Sequence, residues 1–130
     1  MKKYNQIFCN KCHKITDHRQ KLSAVLSGNR VCNICDRMNP VCLLTKEDNL
    51  NFSKGSNEIL WLEFNEDDTF KEKYDEPKVG RSLLMSPFNN FFTWQTTPIL
   101  EIIEERVDDN MNYIKFKTKN SIYELTTHKL

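Results

Sequence analysis

The chain has 130 residues, enough for one compact domain or two very small ones, and 38% of them are apolar, adequate for a folded core. Its formal net charge is +1, yet residues 1–46 hold nine Lys or Arg against two acidic residues, while residues 47–130 hold ten against sixteen. No apolar run approaches the roughly 20 residues of a transmembrane helix, and "MKKYNQIFCN" has basic residues with no apolar run behind them, so a membrane span and a secretory leader are not expected and the chain reads as soluble and cytoplasmic.

A basic head on an acidic body implies either contact of the head with nucleic acid or charge complementarity within the molecule. The aromatic residues divide the chain at a similar place. Of eight Phe, only Phe8 precedes residue 50. The larger core is therefore expected in the second part, and a head of about 40 residues needs another source of stability.

That source is visible in the first element. "FCNKCHK" (8–14) and "VCNICDR" (31–37) place Cys9, Cys12, Cys32 and Cys35 in two Cys-x-x-Cys turns. Each turn aims two thiolates at one point, and two such turns supply the four soft ligands of a tetrahedral structural Zn²⁺. In a reducing compartment this pairing favours metal over disulfides. A closed shell of four thiolates leaves no position for water or substrate, which argues against catalytic zinc. His13 and His18 are alternative ligands, though all four sulfurs are present. Between the knuckles, "ITDHRQKLSAVLSGNRV" (15–31) is expected to form a hairpin, with Ser27, Gly28 and Asn29 in the turn. Knuckle, hairpin and knuckle together resemble a zinc ribbon over residues 7–37. Members of that class bind nucleic acid, bind protein or hold a terminus in shape, so the resemblance implies a fold and not a function.

The head, residues 1–40, ends at "RMNP". Lys11, Lys14, Arg19, Lys21, Arg30 and Arg37 stud it and are candidate phosphate contacts, with Tyr4 and Phe8 near enough to stack a base. The alternative is a solvated basic face that offsets the thiolates. Residues 41–57 read as a connector with a short strand or one helical turn at Val41–Leu44 and a turn at Lys54–Asn57, and Cys42, within "VCLL", is a small buried residue rather than a nucleophile.

The body, residues 58–130, is expected to be a small antiparallel barrel of SH3-like or OB-like type, so the whole chain is mainly β. "EILWLEF" (58–64) puts Leu60, Leu62 and Phe64 on one face and Ile59 and Trp61 on the other, the pattern of a strand covered on both sides. "NEDDTFKEKYDEP" (65–77) is acidic, with Phe70 and Tyr74 at helical spacing, and reads as a short helix or a mobile acidic loop. Strands are expected at 79–86, 91–96, 99–106, 112–119 and 121–127. The fourth of these alternates most clearly, with Ile114, Phe116 and Thr118 on one face and Lys115, Lys117 and Lys119 on the other, and Glu101, Glu104 and Glu105 are placed to pair with those lysines across the sheet.

"PFNNFFTWQTTP" (87–98) crowds Phe88, Phe91, Phe92 and Trp94 into seven positions. One strand face cannot bury them all, so they are either core or an exposed anchor for a protein partner. The stretch 79–125 contains Thr96, Thr97, Pro98 and Ile99, then Thr118, Asn120, Ser121 and Tyr123. This resembles small β domains of bacteriophage and mobile-element proteins, and the resemblance implies a phage protein acting on a host machine. No nucleophile elbow, phosphate loop or paired His appears, so no enzymatic activity is expected. Two functions stand: a non-enzymatic, zinc-binding protein that binds and modulates a host protein of the transcription or defence machinery, and a nucleic-acid-binding accessory protein that uses the ribbon.

Overall fold

A computed structural model describes residues 5–25, 28–86, 94–108 and 111–128. Strands β1 (Asn5–Cys9) and β2 (Lys14–Arg19), a single helical turn α1 (Leu22–Val25), and strands β3 (Asn29–Cys32) and β4 (Met38–Pro40) form the head. Its sheet is antiparallel in the order β1-β2-β3-β4. The hairpin expected between the knuckles is β2 with β3, and the helical turn α1 lies within its connection.

The chain leaves this sheet at Pro40 and enters a second with β5 (Cys42–Lys46) and β6 (Asn49–Ser56). Residues 41–57, read from sequence as a connector, thus carry two paired strands. Strand β7 (Glu58–Phe64) follows after one residue and starts a third sheet, with β8 (Phe70–Tyr74), β9 (Arg81–Ser86) and β10 (Trp94–Gln95) in the order β10-β9-β7-β8. The chain then returns to the second sheet with β11 (Ile99–Val107), β12 (Met111–Thr118) and β13 (Ile122–His128), giving the order β11-β12-β13-β5-β6. The protein is mainly β, its antiparallel sheets forming a half-barrel beside the cysteine-bearing head.

Alternation decides which face of the second sheet is covered. Ile114, Phe116 and Thr118 are buried on β12, as the sequence pattern requires, and they stand beside Leu125 and Tyr123 on β13 and Leu44 on β5. From the third sheet Trp61, Leu83 and Met85 complete this core. An aromatic series runs through it: Trp61 meets Phe116 edge-on at 5.7 Å, Phe116 stacks on Tyr123 at 5.5 Å, and Trp94 approaches Tyr123 at 5.6 Å. Such pairs add about 0.5–1.5 kcal/mol each beyond burial. On the opposite face, register sets Glu101 across from Lys117 and Glu104 across from Lys115, but Glu105 stands across from Ile114, Lys115 pairs with Glu47 and Glu104 pairs with Arg106.

Residues 65–77 are neither a helix nor an open loop. A turn at Asn65–Asp68 reverses the chain, and β8 pairs with β7. The spacing of Phe70 and Tyr74 fits a strand face as well as a helix face, since residues i and i+4 share a side in both. At the turn 118–122, the Thr118 hydroxyl accepts the N–H groups of Asn120 and Ser121, so Thr118 caps the turn.

The head is tied to the body at several points. Ile7 of β1 is fully buried in the common core. Asn57 donates to the Val25 carbonyl at 2.7 Å and accepts from Arg30 at 2.6 Å. His128, at the end of β13, donates from Nδ1 to the Val41 carbonyl at 2.8 Å and accepts at Nε2 from the Phe8 N–H at 3.2 Å. The bond from Phe8 requires an unprotonated Nε2 and hence a neutral ring. Burial holds the His128 pKa below the ordinary 6.5, His18 acts in the same direction, and the Val41 carbonyl opposes them. The unfolded chain therefore binds the extra proton first as the pH falls, so stability rises with pH up to about 6.5 and is lost below it. The urea midpoint will fall from about pH 7.5 to about 5.5, and His128→Gln will flatten that part of the curve. An unchanged slope in the variant would show that His128 is not the group responsible.

Candidate metal centre

Each Cys-x-x-Cys turn closes in the same way. His13 donates its N–H to the Cys9 carbonyl at 2.8 Å, and Asp36 donates to the Cys32 carbonyl at 2.9 Å. Both residues adopt left-handed backbone angles, with φ of 58° and 63°. The turns also aim N–H groups at sulfur: Cys12 N–H lies 3.4 Å from Cys9 Sγ, and Ile34 N–H lies 3.4 Å from Cys32 Sγ.

The four sulfurs converge. Cys9 Sγ is 3.5 Å from Cys35 Sγ, Cys12 Sγ is 3.9 Å from Cys32 Sγ, and all four lie within 4.8 Å of one another. Four sulfurs at ~2.3 Å from a common centre form a tetrahedron with edges of about 3.8 Å. The donor set and its spacing therefore fit a four-thiolate metal ion. Cys9 and Cys32 are buried, while Cys12 and Cys35 are partly accessible.

Without a metal the site splits its protons. Burial alone would raise Cys9, but the N–H groups of Cys12 and Lys11, the Asn39 amide and Cys35 outweigh it and lower the thiol to about 6. Cys32 is lowered in the same way, burial being overcome by the Thr16 hydroxyl and the N–H groups of Cys35 and Ile34. Cys12 is pushed up to about 12 by burial and by bonds shared with the other three sulfurs. Cys35 is also raised: the Arg37 N–H favours its thiolate, but burial and the Cys9 sulfur prevail. A metal ion takes the place of the protons that Cys12 and Cys35 would otherwise keep.

His13 and His18 do not join the sulfurs. His13 is exposed. His18 is buried with both ring nitrogens engaged, Nδ1 with the Thr16 carbonyl at 2.9 Å and Nε2 with the Asn39 amide at 3.0 Å. The tautomer that fits carries its proton on Nδ1 and accepts from Asn39. Asn39 is fully buried and accepts the Asn10 N–H at 3.2 Å, and the Thr16 hydroxyl lies 3.1 Å from Cys32 Sγ. Thr16, His18 and Asn39 thus form a polar layer that fixes the knuckles, and sequence reasoning did not assign Thr16 or Asn39 to the site. The one available signal is that Thr16 and His18 share a strand face. Outer groups of this kind typically tune metal affinity by 10–100-fold. Asn39→Ala will weaken metal binding by about that factor in a chelator competition, and unchanged affinity would show that the layer does not support the site.

No family profile, curated protein or solved structure matches this chain.

The basic residues of the head have separate fates. Arg19 pairs with Asp36 and donates to the Cys32 carbonyl at 3.2 Å and Asn33 at 3.1 Å, bracing the second knuckle. Arg30 is buried against Asn57. Lys11, Lys14, Lys21 and Arg37 are exposed. On the body, Lys115 reaches Glu47 at 3.1 Å. Cys42 is buried, and burial pushes its thiol up to about 11, as expected of an inert core residue. Trp94 is half-buried and packs edge-on against Phe52 at 5.3 Å and against Tyr123. Phe88, Phe91 and Phe92 lie outside the described residues. Among the described residues, no helix is long and apolar enough to cross a membrane.

Proposed function

We propose that this is a non-enzymatic interaction protein, stapled by one structural Zn²⁺ on Cys9, Cys12, Cys32 and Cys35, that works by binding a protein partner. The observation that carries it is the convergence of four sulfurs within 4.8 Å. A shell closed by four thiolates holds structure and leaves no position at which to activate water or substrate. Zinc is the metal that such a set suits best, being content with a tetrahedron of soft ligands. The likeness of residues 79–125 to phage and mobile-element β domains supports a phage-encoded protein acting in the host cytoplasm on transcription or defence machinery.

Native mass spectrometry will find one zinc per chain, and a folded, metal-free protein would end the zinc reading. Affinity purification from a candidate host lysate, with and without nuclease, tests the partner. A protein retained at moderate salt after nuclease treatment is expected. The exposed Lys11, Lys14, Lys21 and Arg37 favour a second reading, nucleic-acid binding by the ribbon. It predicts binding to generic DNA or RNA that falls steeply with salt.

A further inference from the structure

The cleft between the second and third sheets holds a cavity of about 160 Å³. Register shows how its second-sheet wall is made. Glu105, Ile114 and Leu125 stand in one row across three strands, and Val107, Asn112 and Thr127 stand in the next. Directly opposed residues share a sheet face. Glu105 and Val107 therefore lie on the same face as the buried Ile114 and Leu125, the face turned toward the third sheet. Ile59 and Trp61 of β7 form the facing wall. Asp75, just past the end of β8, joins Glu105 at the mouth, and both are exposed.

We infer that this cleft takes one basic side chain of the protein partner, a lysine or an arginine, with its aliphatic stem against the apolar walls and its charged head beside Asp75 and Glu105. The inference rests on the protein-partner reading above and says what that partner presents. Three observations carry it. The first is charge. The lining of the cavity holds two carboxylates and no basic side chain. Among the described residues neither carboxylate has an ion-pair partner, and Lys78 forms no ion pair with either. The neighbouring arginines are engaged elsewhere. Arg106 pairs with Glu104 at 2.9 Å, while Arg81 lies over the Tyr74 ring at 3.5 Å and donates to the Glu76 carbonyl at 2.8 Å. The second is size. A cofactor or drug-sized ligand needs roughly 300–1,000 Å³, whereas a cavity of about 150 Å³ accommodates a benzene-sized group. One side chain fits and a nucleotide does not. Long basic side chains bury an aliphatic stem along apolar surface and keep the charge at its edge, which matches apolar walls with a carboxylate rim. The third is setting. Beyond Ile99, which accepts the Gly80 N–H at 2.8 Å, the outer edge of β11 has no backbone partner among the described residues. A partner's main chain can run along that edge beside the mouth, a contact that a free amine cannot make.

The test uses the full, zinc-loaded chain and short fluorescent peptides with Lys, Arg, norleucine or Glu at the centre of a Gly-Ser context, followed by anisotropy. Lys- and Arg-centred peptides will bind. A norleucine centre, which keeps the stem and lacks the charge, will bind about tenfold more weakly, and a Glu centre will not bind. Asp75→Asn combined with Glu105→Gln will erase the difference between Lys and norleucine centres while circular dichroism and zinc content stay the same. Glu105→Lys, which supplies a cation from within the chain, will abolish binding of the Lys peptide. Absence of binding by every peptide, or a Lys preference that survives the double variant, would overturn the cleft. So would n-butylamine bound as tightly as the Lys peptide, since the site would then serve a free amine. A lysate protein held equally by the wild type and Glu105→Lys would remove the cleft and leave the protein-partner reading standing. Oligothymidylate bound by both forms, with no peptide bound and no lysate protein retained, would remove both.

Discussion

Replacing Cys32 and Cys35 together with serine will abolish metal binding and unfold the head. The apparent free energy of a structural four-ligand zinc site is about 10–16 kcal/mol, as large as the whole stability of an ordinary domain, about 5–15 kcal/mol. The head's buried apolar side chains are few, among them Ile7, Ala24 and Val31, and cannot replace it. The body will keep its strands, because its pairings do not pass through the knuckles. It will not keep its full stability. Ile7 sits in the common core at 0% exposure, and removing such a side chain costs about 2–5 kcal/mol. The melting temperature of the remaining β signal will drop by about 10 °C or more. Native mass spectrometry reads the metal, amide exchange reads the head, and far-ultraviolet circular dichroism reads the body. An unchanged melt would show that no metal holds this fold.

What the sequence reveals depends on whether an element announces itself locally. The knuckles do, since four cysteines at that spacing have few other uses, and the strands at 58–64, 99–107, 111–118 and 122–128 do, because one face of each is apolar or alternation is clear. Strands β5 and β6 do so only in part, with Val41–Leu44 suggesting a short strand or a helical turn. The partner of β5 on one side, β13, lies about 80 residues away in sequence, with Leu125 opposite Leu44, and the edge strand β6 carries only Leu50 and Phe52 among Asn, Ser, Lys and Gly. Strand β8 hides for a related reason: Phe70 to Lys73 are all exposed, so hydropathy carries no period. The polar layer of Thr16, His18 and Asn39 is the hardest to read. A buried polar residue is recognised by its partner, and Asn39 finds His18 from 21 positions away.

One of the contacts between head and body needs a residue without a side chain. Gly28 has φ +83°, donates its N–H to the Val25 carbonyl at 3.0 Å and accepts the Val41 N–H at 3.1 Å. A Cβ there would lie 2.7 Å from the Ser56 Cα and 2.9 Å from its backbone N and C, and backbone atoms in a paired strand cannot step aside. Gly28→Ala thus combines a left-handed alanine with an overlap against β6, a cost of roughly 3–5 kcal/mol. Gly80→Ala separates the two contributions. Gly80 has φ +96° and no atom within 4 Å of its Cβ position, so that variant pays the backbone cost alone, about 1–2 kcal/mol. The Gly28 variant will still bind metal, because neither knuckle touches the change, but its urea midpoint will fall well below that of Gly80→Ala. Equal midpoints would mean that the head does not press against Ser56.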